Sequence, residues 1–346
     1  MQSNSKATEI NDLGEFGLIT ELSNFARKKN KSTILGIGDD AAIIEHIDLQ
    51  TVVTTDLLLE GIHFDLVYTP LKHLGYKAIV VNLSDIYAMM GTPTQVTVSL
   101  GISNRFSVEA IKELYKGIET ACNFYEVDLI GGDTSASLTG LCISVTALGT
   151  VESGKAVKRH TAKSGDLICV SGDLGAAYLG LQILEREKQI YLENKNIQPE
   201  LDKNKYLVER ILKPEARRDI VRQLKTNNLS PTSMIDVSDG LSSELMHLCA
   251  QSQVGCKVFD ENIPIHAEAI QTALQFNIDP TTTALNGGED YELLFTMDKN
   301  NLEAIEMMPD VRVIGNIVDK KEGMQLIAKS GKAYELKAQG WQSFRN

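Results

Sequence analysis

The sequence predicts an α/β protein with two domains, and two repeating patterns support this class. Residues 95–102 are apolar at every second position, which is the spacing of a strand with one buried face. Residues 141–151 repeat that alternation, whereas residues 108–122, between them, carry apolar side chains at helical spacing. Short strands that alternate with helices in this way indicate packed α and β layers.

The first half of the chain predicts one further strand and one further helix. The run TVVTT at 51–55 has strand composition, and we expect the strand to end at Asp56. A helical pattern follows from about 72 to 90, where Gly91 and Pro93 end it.

The second half begins where the chain turns polar after Val151. We place the domain boundary there, giving domains of residues 1–152 and 153–346. The charged stretch 187–205 predicts a solvated surface insertion, and Pro214 suits the first turn of a helix. The remaining apolar runs predict a strand at 167–171, a helix at 176–187, a strand at 233–237, a helix after 239, and strands near 254–259, 291–297 and 311–317. The pattern does not determine the order of the strands.

Composition limits the classes of function. Of the 346 residues 43% are hydrophobic, and 34 Lys and Arg against 46 Asp and Glu give a formal charge of −12. Binders of nucleic acid or anionic membranes normally present a basic face, so we expect neither partner. The apolar runs are far shorter than the roughly 20 residues of a membrane-spanning helix, and the first residues of the sequence are polar, so we expect neither a membrane span nor a secretory signal. The five cysteines form no CxxC pair, which predicts reduced thiols and a cytoplasmic location.

Aspartates recur at the ends of apolar runs and helix turns. Loops at strand ends are where ligands gather in α/β proteins, and acidic loops that converge there would repel one another without a cation. Hard carboxylate oxygens suit Mg²⁺ or Ca²⁺, and Mg²⁺ favours a few carboxylates together with substrate phosphates. The segments are GIGDD (36–40), TTD (54–56), NLSD (82–85), IGGD (130–133), MIDVSD (234–239) and NGGED (286–290).

Each acidic motif has a simpler interpretation when it is taken alone. An Asp-Gly or Ser-Asp pair is usually a turn or a helix cap, and Asp239 before Gly240 fits that role. His63 is as consistent with a packed, hydrogen-bonded histidine as with a functional one. The sequence contains no GxxxxGK[ST] loop, no HExxH and no GxSxG. Six acidic motifs at element ends in one chain nevertheless favour a metal–phosphate site over scattered turns.

Together these motifs resemble the thiamine-monophosphate kinase family. That family belongs to a superfamily with aminoimidazole ribonucleotide synthetase, selenophosphate synthetase and a hydrogenase maturation protein. The resemblance covers nearly the whole chain, through GEFGLI (14–19), GIGDDAA (36–42), TTDLLLEGIHF (54–64), LGYKAIVVNLSDIYAMMGTP (74–93), LIGGDTS (129–135), KRHTAKSGD (158–166), MIDVSDGLSSEL (234–245), GGEDYELLF (287–295) and GWQSF (340–344). The departures are small: Thr134-Ser135 where the family often has Thr-Thr, and Met89-Met90 before GTP.

The resemblance implies a role for individual residues. The positions that match the family's magnesium ligands are Asp40, Thr54, Thr55, Asp56, Asp85, Asp133, Asp236 and Asp239. Those that match its ATP contacts are Tyr115, Gly132, Arg159 and Ser238. Those that match its thiamine monophosphate contacts are His63, Glu289 and Trp341.

The resemblance also implies a fold and a reaction. The fold would be that of aminoimidazole ribonucleotide synthetase, with N-terminal strands that pair into a dimeric β-barrel and give a homodimer. The reaction would transfer phosphoryl from ATP to thiamine monophosphate directly in line, assisted by several Mg²⁺ ions and without a covalent enzyme intermediate.

Two alternatives remain open at this stage. Another ATP-using member of the superfamily, such as aminoimidazole ribonucleotide synthetase, would share the acidic loops. A non-catalytic protein that binds divalent metal would share them too, but it would not turn over nucleotide. No cysteine occurs before Cys122, which disfavours a selenophosphate synthetase with a reactive N-terminal Cys.

Overall fold

The computed structural model describes residues 33–35 and 39–337. The strands are β1 Thr33–Leu35, β2 Ala42–Glu45, β3 Leu49–Leu59, β4 Thr92–Ile102, β5 Asp128–Ala136, β6 Cys142–Glu152, β7 Leu167–Ser171, β8 Ser233–Asp236, β9 Val254–Phe259, β10 Leu293–Met297, β11 Val311–Asp319, β12 Met324–Ile327 and β13 Ala333–Glu335. The helices are α1 Leu71–Ala88, α2 Val108–Tyr125, α3 Ala176–Glu193, α4 Lys205–Leu212, α5 Arg218–Thr226, α6 Leu241–Ser252, α7 Ala267–Gln275, α8 Pro280–Asn286 and α9 Leu302–Glu306.

The first sheet has the order β1-β2-β3-β6-β4-β5. Its neighbouring strands are antiparallel except β4 and β5, which run parallel with α2 as the crossover. The apolar positions predicted at 96, 98, 100, 143, 145 and 147 all face the core, where α1 covers the sheet. Gly75 allows helices α1 and α2 to approach closely. Any larger residue would clash there, because a Cβ at Gly75 would lie 2.0 Å from the carbonyl oxygen of Leu114.

The second sheet has the order β13-β12-β9-β11-β7-β10-β8. Only β12 and β9 are parallel neighbours, and β8 lies at one edge beside β10. The largest apolar cluster contains residues of the first sheet and α1 together with Met234, Phe295 and Met297 of the second sheet. The two sheets therefore pack through a continuous apolar contact, which fixes β8 next to α1.

Three sequence expectations need correction. The strand that contains TVVTT does not end at Asp56 but continues to Leu59, because residues 56–59 keep pairing with β6. Pro214 is not in the first turn of a helix, since it lies in the loop between α4 and α5. The stretch 187–205 is not wholly an insertion, because α3 continues through it to Glu193.

The other predicted elements of the second half are present, with ends that differ by a few residues. Within the described ranges, no helix is both long enough and apolar enough to cross a bilayer. The motifs GEFGLI and GWQSF, with Trp341, lie outside the described residues, as do positions 36–38.

Candidate active site

Carboxylates from three separate parts of the chain meet where the two sheets join. Asp40 follows β1, Asp85 lies in the last turn of α1, and Asp236 ends β8. One carboxylate oxygen from each lies within 4.8 Å of the others. Asp56 lies on the same face of β3 as Thr54, whose hydroxyl bonds Asp85, and its charge raises the pKa of the Asp85 carboxyl. We call Asp40, Asp56, Asp85 and Asp236 the acidic cluster.

Burial raises the carboxyl pKa of every member of the acidic cluster. For Asp56 burial, followed by repulsion from Asp236, raises the pKa to about 6. The pKa of Asp85 is raised well above its usual value by burial and then by Asp56, Asp236 and Asp40. The pKa of Asp40 is also raised by burial, although the Arg159 guanidinium beside it acts in the opposite direction. The cluster therefore favours protonation or a bound cation over four free carboxylates.

Hydrogen bonds to neighbouring polar groups hold these carboxylates in place. The Thr54 hydroxyl donates to Asp85 Oδ2 at 2.6 Å, and the Ser84 hydroxyl donates to Asp236 Oδ2 at 2.7 Å. The backbone N–H of Asp56 donates to the Asn82 amide oxygen at 3.1 Å. Ser84 and Asn82 are fully buried on α1, so the helix positions ligands that belong to β3 and β8.

The donor set fits a hard divalent cation. The cluster offers carboxylate oxygens alone, with neither sulfur nor imidazole among them, and Mg²⁺ and Ca²⁺ prefer such ligands. Among the described residues, the cation that hydrogen-bonds the cluster is the Arg159 guanidinium, through Asp40. One arginine does not balance four acids, and a divalent ion would remove the repulsion that raises their pKa values.

A second acidic loop, the GGED segment, lies against the residues that follow β8. The N–H of Glu289 donates to the Ser238 carbonyl at 2.7 Å, and the N–H of Tyr291 donates to the Val237 carbonyl at 2.9 Å. Glu289 and Tyr291 both have positive φ, at 61° and 53°, an uncommon conformation for residues other than glycine. A Cβ at Gly288, where φ is 71°, would lie 2.5 Å from the Ser238 carbonyl oxygen. The glycine therefore permits the close contact between the two loops.

A buried ionic network fixes the other end of the GGED segment. Asp290 accepts from the N–H of Gly175 at 2.9 Å, at the start of α3, and burial raises its pKa to about 7. Glu292 forms ion pairs with Arg210 and Arg217. Because these partners belong to α4 and the loop before α5, the network ties Glu289 to the helices of the second half.

A cavity of about 870 Å³ opens beside the acidic cluster. Asp56 forms part of its wall, which also includes aromatic side chains such as Tyr68 and Tyr178. Its polar lining contains five of the candidate residues, Asp56, His63, Ser238, Asp239 and Glu289, and two lysines, Lys77 and Lys188. The Nδ1 atom of His63 accepts from the N–H of Leu59 at 3.0 Å, which fixes the ring at the end of β3. The chain thus brings candidate metal, nucleotide and substrate residues to one space.

Two candidates lie on the edge strand β5, away from this space. Asp133 and Gly132 are exposed there, like every residue of β5. Asp133 pairs with Ser99, Ser99 with Ser144, and Ser144 with Leu57. Three strand spacings separate Asp133 from Leu57, which is roughly 14 Å. Within one chain, Asp133 therefore does not join the acidic cluster.

Thr55 and Tyr115 also lie outside the lining of this cavity. Thr55 lies on the opposite face of β3 from Thr54, and its hydroxyl donates to the Val145 carbonyl at 2.9 Å. Tyr115, on α2, borders a separate groove of about 270 Å³ beside Phe106. Trp341 is outside the described residues.

Sequence reasoning missed four residues that the fold brings to the site. Glu244 of α6 accepts from the N–H of Asp239 at 3.0 Å, and burial together with Asp239 raises its carboxyl pKa. Ser84, Asn82 and Lys77 are polar residues within the otherwise apolar run of α1. Polar side chains within a long apolar helical run were the signal, because such groups need partners once the helix is packed.

Comparisons with known proteins agree on one family. Residues 38–151 match the family model of the AIR synthase related protein, N-terminal domain. The thiamine-monophosphate kinase of Aquifex aeolicus is 36% identical over 97% of this chain and 99% of its own length. That of Bacillus subtilis is 32% identical over 96% of this chain and all of its own.

The solved structures agree with this relationship. AaThiL complexed with AMPPCP and TMP is 33% identical, with a TM-score of 0.83 over 98% of this chain and 100% of that one. A HypE–HypF complex, 18% identical with a TM-score of 0.71 over 93% of this chain and 100% of that one, shares the fold alone. The sequence similarity extends over nearly the full length of both kinases. The chain belongs to the thiamine-monophosphate kinase family.

Proposed function

We propose that this protein uses ATP to phosphorylate thiamine monophosphate to thiamine diphosphate. The observation that carries the proposal is the cavity of about 870 Å³, whose wall contains Asp56 of the acidic cluster together with His63 and Glu289. The family relationship supports it, as does the similarity to AaThiL complexed with an ATP analogue and TMP. Alongside His63 and Glu289, Trp341 completes the proposed set of substrate contacts.

The reaction needs little acid–base chemistry from the protein. A non-bridging oxygen of the acceptor phosphate attacks the γ-phosphorus of ATP, and the bond from that phosphorus to the β–γ bridging oxygen breaks. ADP leaves with that electron pair. Because the acceptor is an ionised phosphate near neutral pH, no side chain has to remove a proton in the attack. The protein must instead hold two polyanions in line at one place.

We propose that the acidic cluster holds magnesium, with Thr54 and Asp239 beside it. Bound Mg²⁺ supplies positive charge that neutralises both phosphates and stabilises charge on the group in transfer. The chain's part is to keep the carboxylates together through Ser84, Asn82 and Thr54, and to limit the access of water by burial. Arg159, 15% exposed and bonded to Asp40, would provide a fixed positive group for the nucleotide phosphates. Ser238, Gly132 and Tyr115 remain the proposed nucleotide contacts.

We also propose two domains, residues 1–152 and 153–346, and a homodimer formed through the first sheet. The first sheet uses strands up to Glu152, and the second begins at Leu167.

On the sheet face away from α1, Leu57 is 50% exposed, and on edge strand β5 Ile130 is 59% exposed. Apolar side chains on one open face and edge favour a protein contact. In a dimer, β5 with Gly132 and Asp133, and Thr55 on the exposed face of β3, would face a second chain. Light scattering should give twice the 38.0 kDa chain mass, and a value near 38.0 kDa at micromolar concentration would refute the dimer.

A substrate panel tests the activity. ADP release is measured with Mg²⁺ and ATP, adding thiamine monophosphate, thiamine, or the phosphorylated amidine that aminoimidazole ribonucleotide synthetase cyclises. We expect release only with thiamine monophosphate, and thiamine diphosphate in equal amount. Release with the amidine alone would support ring closure instead, and metal binding without any release would support a non-catalytic protein.

A further inference from the structure

One lysine in the cavity wall is almost completely buried beside Glu289. Lys77 lies on α1, its side chain is 5% exposed, and its Nζ contacts Glu289 Oε2. Glu289 is 30% exposed, and both residues line the cavity with Asp56. A buried lysine needs an anionic partner, and a buried pair strongly resists losing one member.

The position of Lys77 connects this ion pair to the acidic cluster. Lys77 and Ser84 are seven residues apart on α1 and so lie on the same face of the helix, about 10 Å apart along its axis. Ser84 donates to Asp236, and Glu289 is bonded through its N–H to Ser238, two residues after Asp236. Another cavity lysine, Lys188, is 18% exposed and instead contacts Asp65 at 2.7 Å. Among the described residues that line the cavity, Lys77 is therefore the buried lysine, and it lies on the helix that carries Ser84 and Asp85.

Each charge of this pair has a counterpart of opposite sign on the proposed substrate. Thiamine monophosphate carries a permanent cation on its thiazolium ring and an anionic phosphate on a short chain. A ligand with both charges can open the Lys77–Glu289 pair and satisfy each member with its own opposite charge. A ligand with one charge leaves the other member uncompensated in a mostly buried site, which is costly.

We propose that Lys77 binds the acceptor phosphate after exchanging Glu289 for it, and that this exchange selects a phosphorylated thiamine over thiamine. The inference rests on the proposed function and deepens it. In the empty cavity, the pair keeps both side chains compensated. In the complex, Glu289 faces the thiazolium cation, and Lys77 holds the phosphate next to Asp56. Lys77 is thus a specificity-determining residue for the acceptor.

Binding measured by calorimetry without ATP tests the exchange. We would compare thiamine monophosphate with thiamine in the wild type and in the variants Lys77→Met, Lys77→Arg and Glu289→Gln. Lys77→Met should raise the Kd for thiamine monophosphate about 10- to 100-fold, the range for one lost charged hydrogen bond. The same variant should bind thiamine as well as or better than the wild type, because Glu289 loses its competitor. Lys77→Arg should restore part of the preference for the phosphate, and Glu289→Gln should weaken both ligands.

The matched control is Lys72→Met, since Lys72 is an exposed lysine on the same helix and should leave both Kd values unchanged. Circular dichroism and the melting temperature establish folding, and Lys77→Gln replaces Lys77→Met if the latter does not fold. Equal weakening of both ligands in the Lys77 variants would make Lys77 merely structural and overturn the inference. So would a wild type that binds thiamine as tightly as its phosphate. If the variants change the two Kd values as expected but the wild type releases no ADP from ATP, the proposed phosphorylation would be refuted and the binding role of Lys77 retained.

Discussion

The acidic cluster predicts a variant that gains stability while it loses activity. Asp56→Asn keeps the size of the side chain and removes one negative charge from a site where burial and Asp236 raise the pKa from 3.8 to about 6. Above pH 6 this pKa difference corresponds to a loss of roughly 3 kcal/mol in the stability of the folded wild type, because the ionised carboxylate is disfavoured there. Because the side chain lies at a cavity wall and keeps part of its hydration, we expect a gain of about 1–3 kcal/mol without metal.

The gain should depend on pH in a defined direction. Below pH 4 the carboxyl is protonated in both the folded and unfolded chains, so variant and wild type should be equally stable. Between pH 4 and 6 the folded wild type holds this proton more tightly than the unfolded chain, and its stability falls as the pH rises. The advantage of Asp56→Asn should therefore appear across this interval and stay constant above it.

The assay is thermal unfolding in chelator from pH 4 to 8, repeated with Mg²⁺. Without metal the variant should melt about 2–6 °C above the wild type at pH 7.5, and Mg²⁺ should raise the melting temperature of the wild type more than that of the variant. Turnover should fall roughly 10²–10³-fold, as for the loss of a major electrostatic contact. The exposed Asp48→Asn is the control and should change neither property. A variant that is less stable than the wild type at every pH, or nearly normal in turnover, would refute the reasoning.

Three further predictions concern the GGED segment and the C-terminus. Gly288→Ala should lower stability by about 1–3 kcal/mol and raise the KM for thiamine monophosphate more than that for ATP, because a Cβ at φ 71° would meet the Ser238 carbonyl. Unchanged kinetics and stability would contradict this. Glu292→Gln should cost about 3–5 kcal/mol in denaturant unfolding, since Arg210 and Arg217 share this buried carboxylate; a loss below about 1 kcal/mol would argue against it. Trp341→Ala should raise the KM for thiamine monophosphate about 3- to 30-fold with kcat unchanged, through loss of a cation–π contact with the thiazolium ring. As the only tryptophan, Trp341 should also report binding by its fluorescence, and a signal indifferent to substrate would leave it a structural plug.

The sequence was most informative where local physics decides the outcome. Strands at 95–102 and 141–151 and the helix between them followed from periodicity, because one buried face imposes period two or period 3.6. Adjacent Thr54 and Thr55 show the limit of a motif, since neighbouring strand residues point to opposite faces and only Thr54 faces Asp85. The end of β3 was misjudged because pairing with β6, rather than composition, carries the strand to Leu59.

The sequence by itself determined the composition of the site, namely acids with oxygen ligands at the ends of strands and helices. Only the tertiary structure decided which acids meet and what their charges do. Asp40, Asp85 and Asp236 come within 4.8 Å because β8 packs beside α1, and their pKa values rise only once burial removes water. Lys77 and Glu289 form an ion pair although 212 positions separate them in the sequence, and no local sequence pattern predicts a contact over such a separation. Local propensity acts through neighbours in the chain, whereas electrostatic coupling acts through neighbours in space.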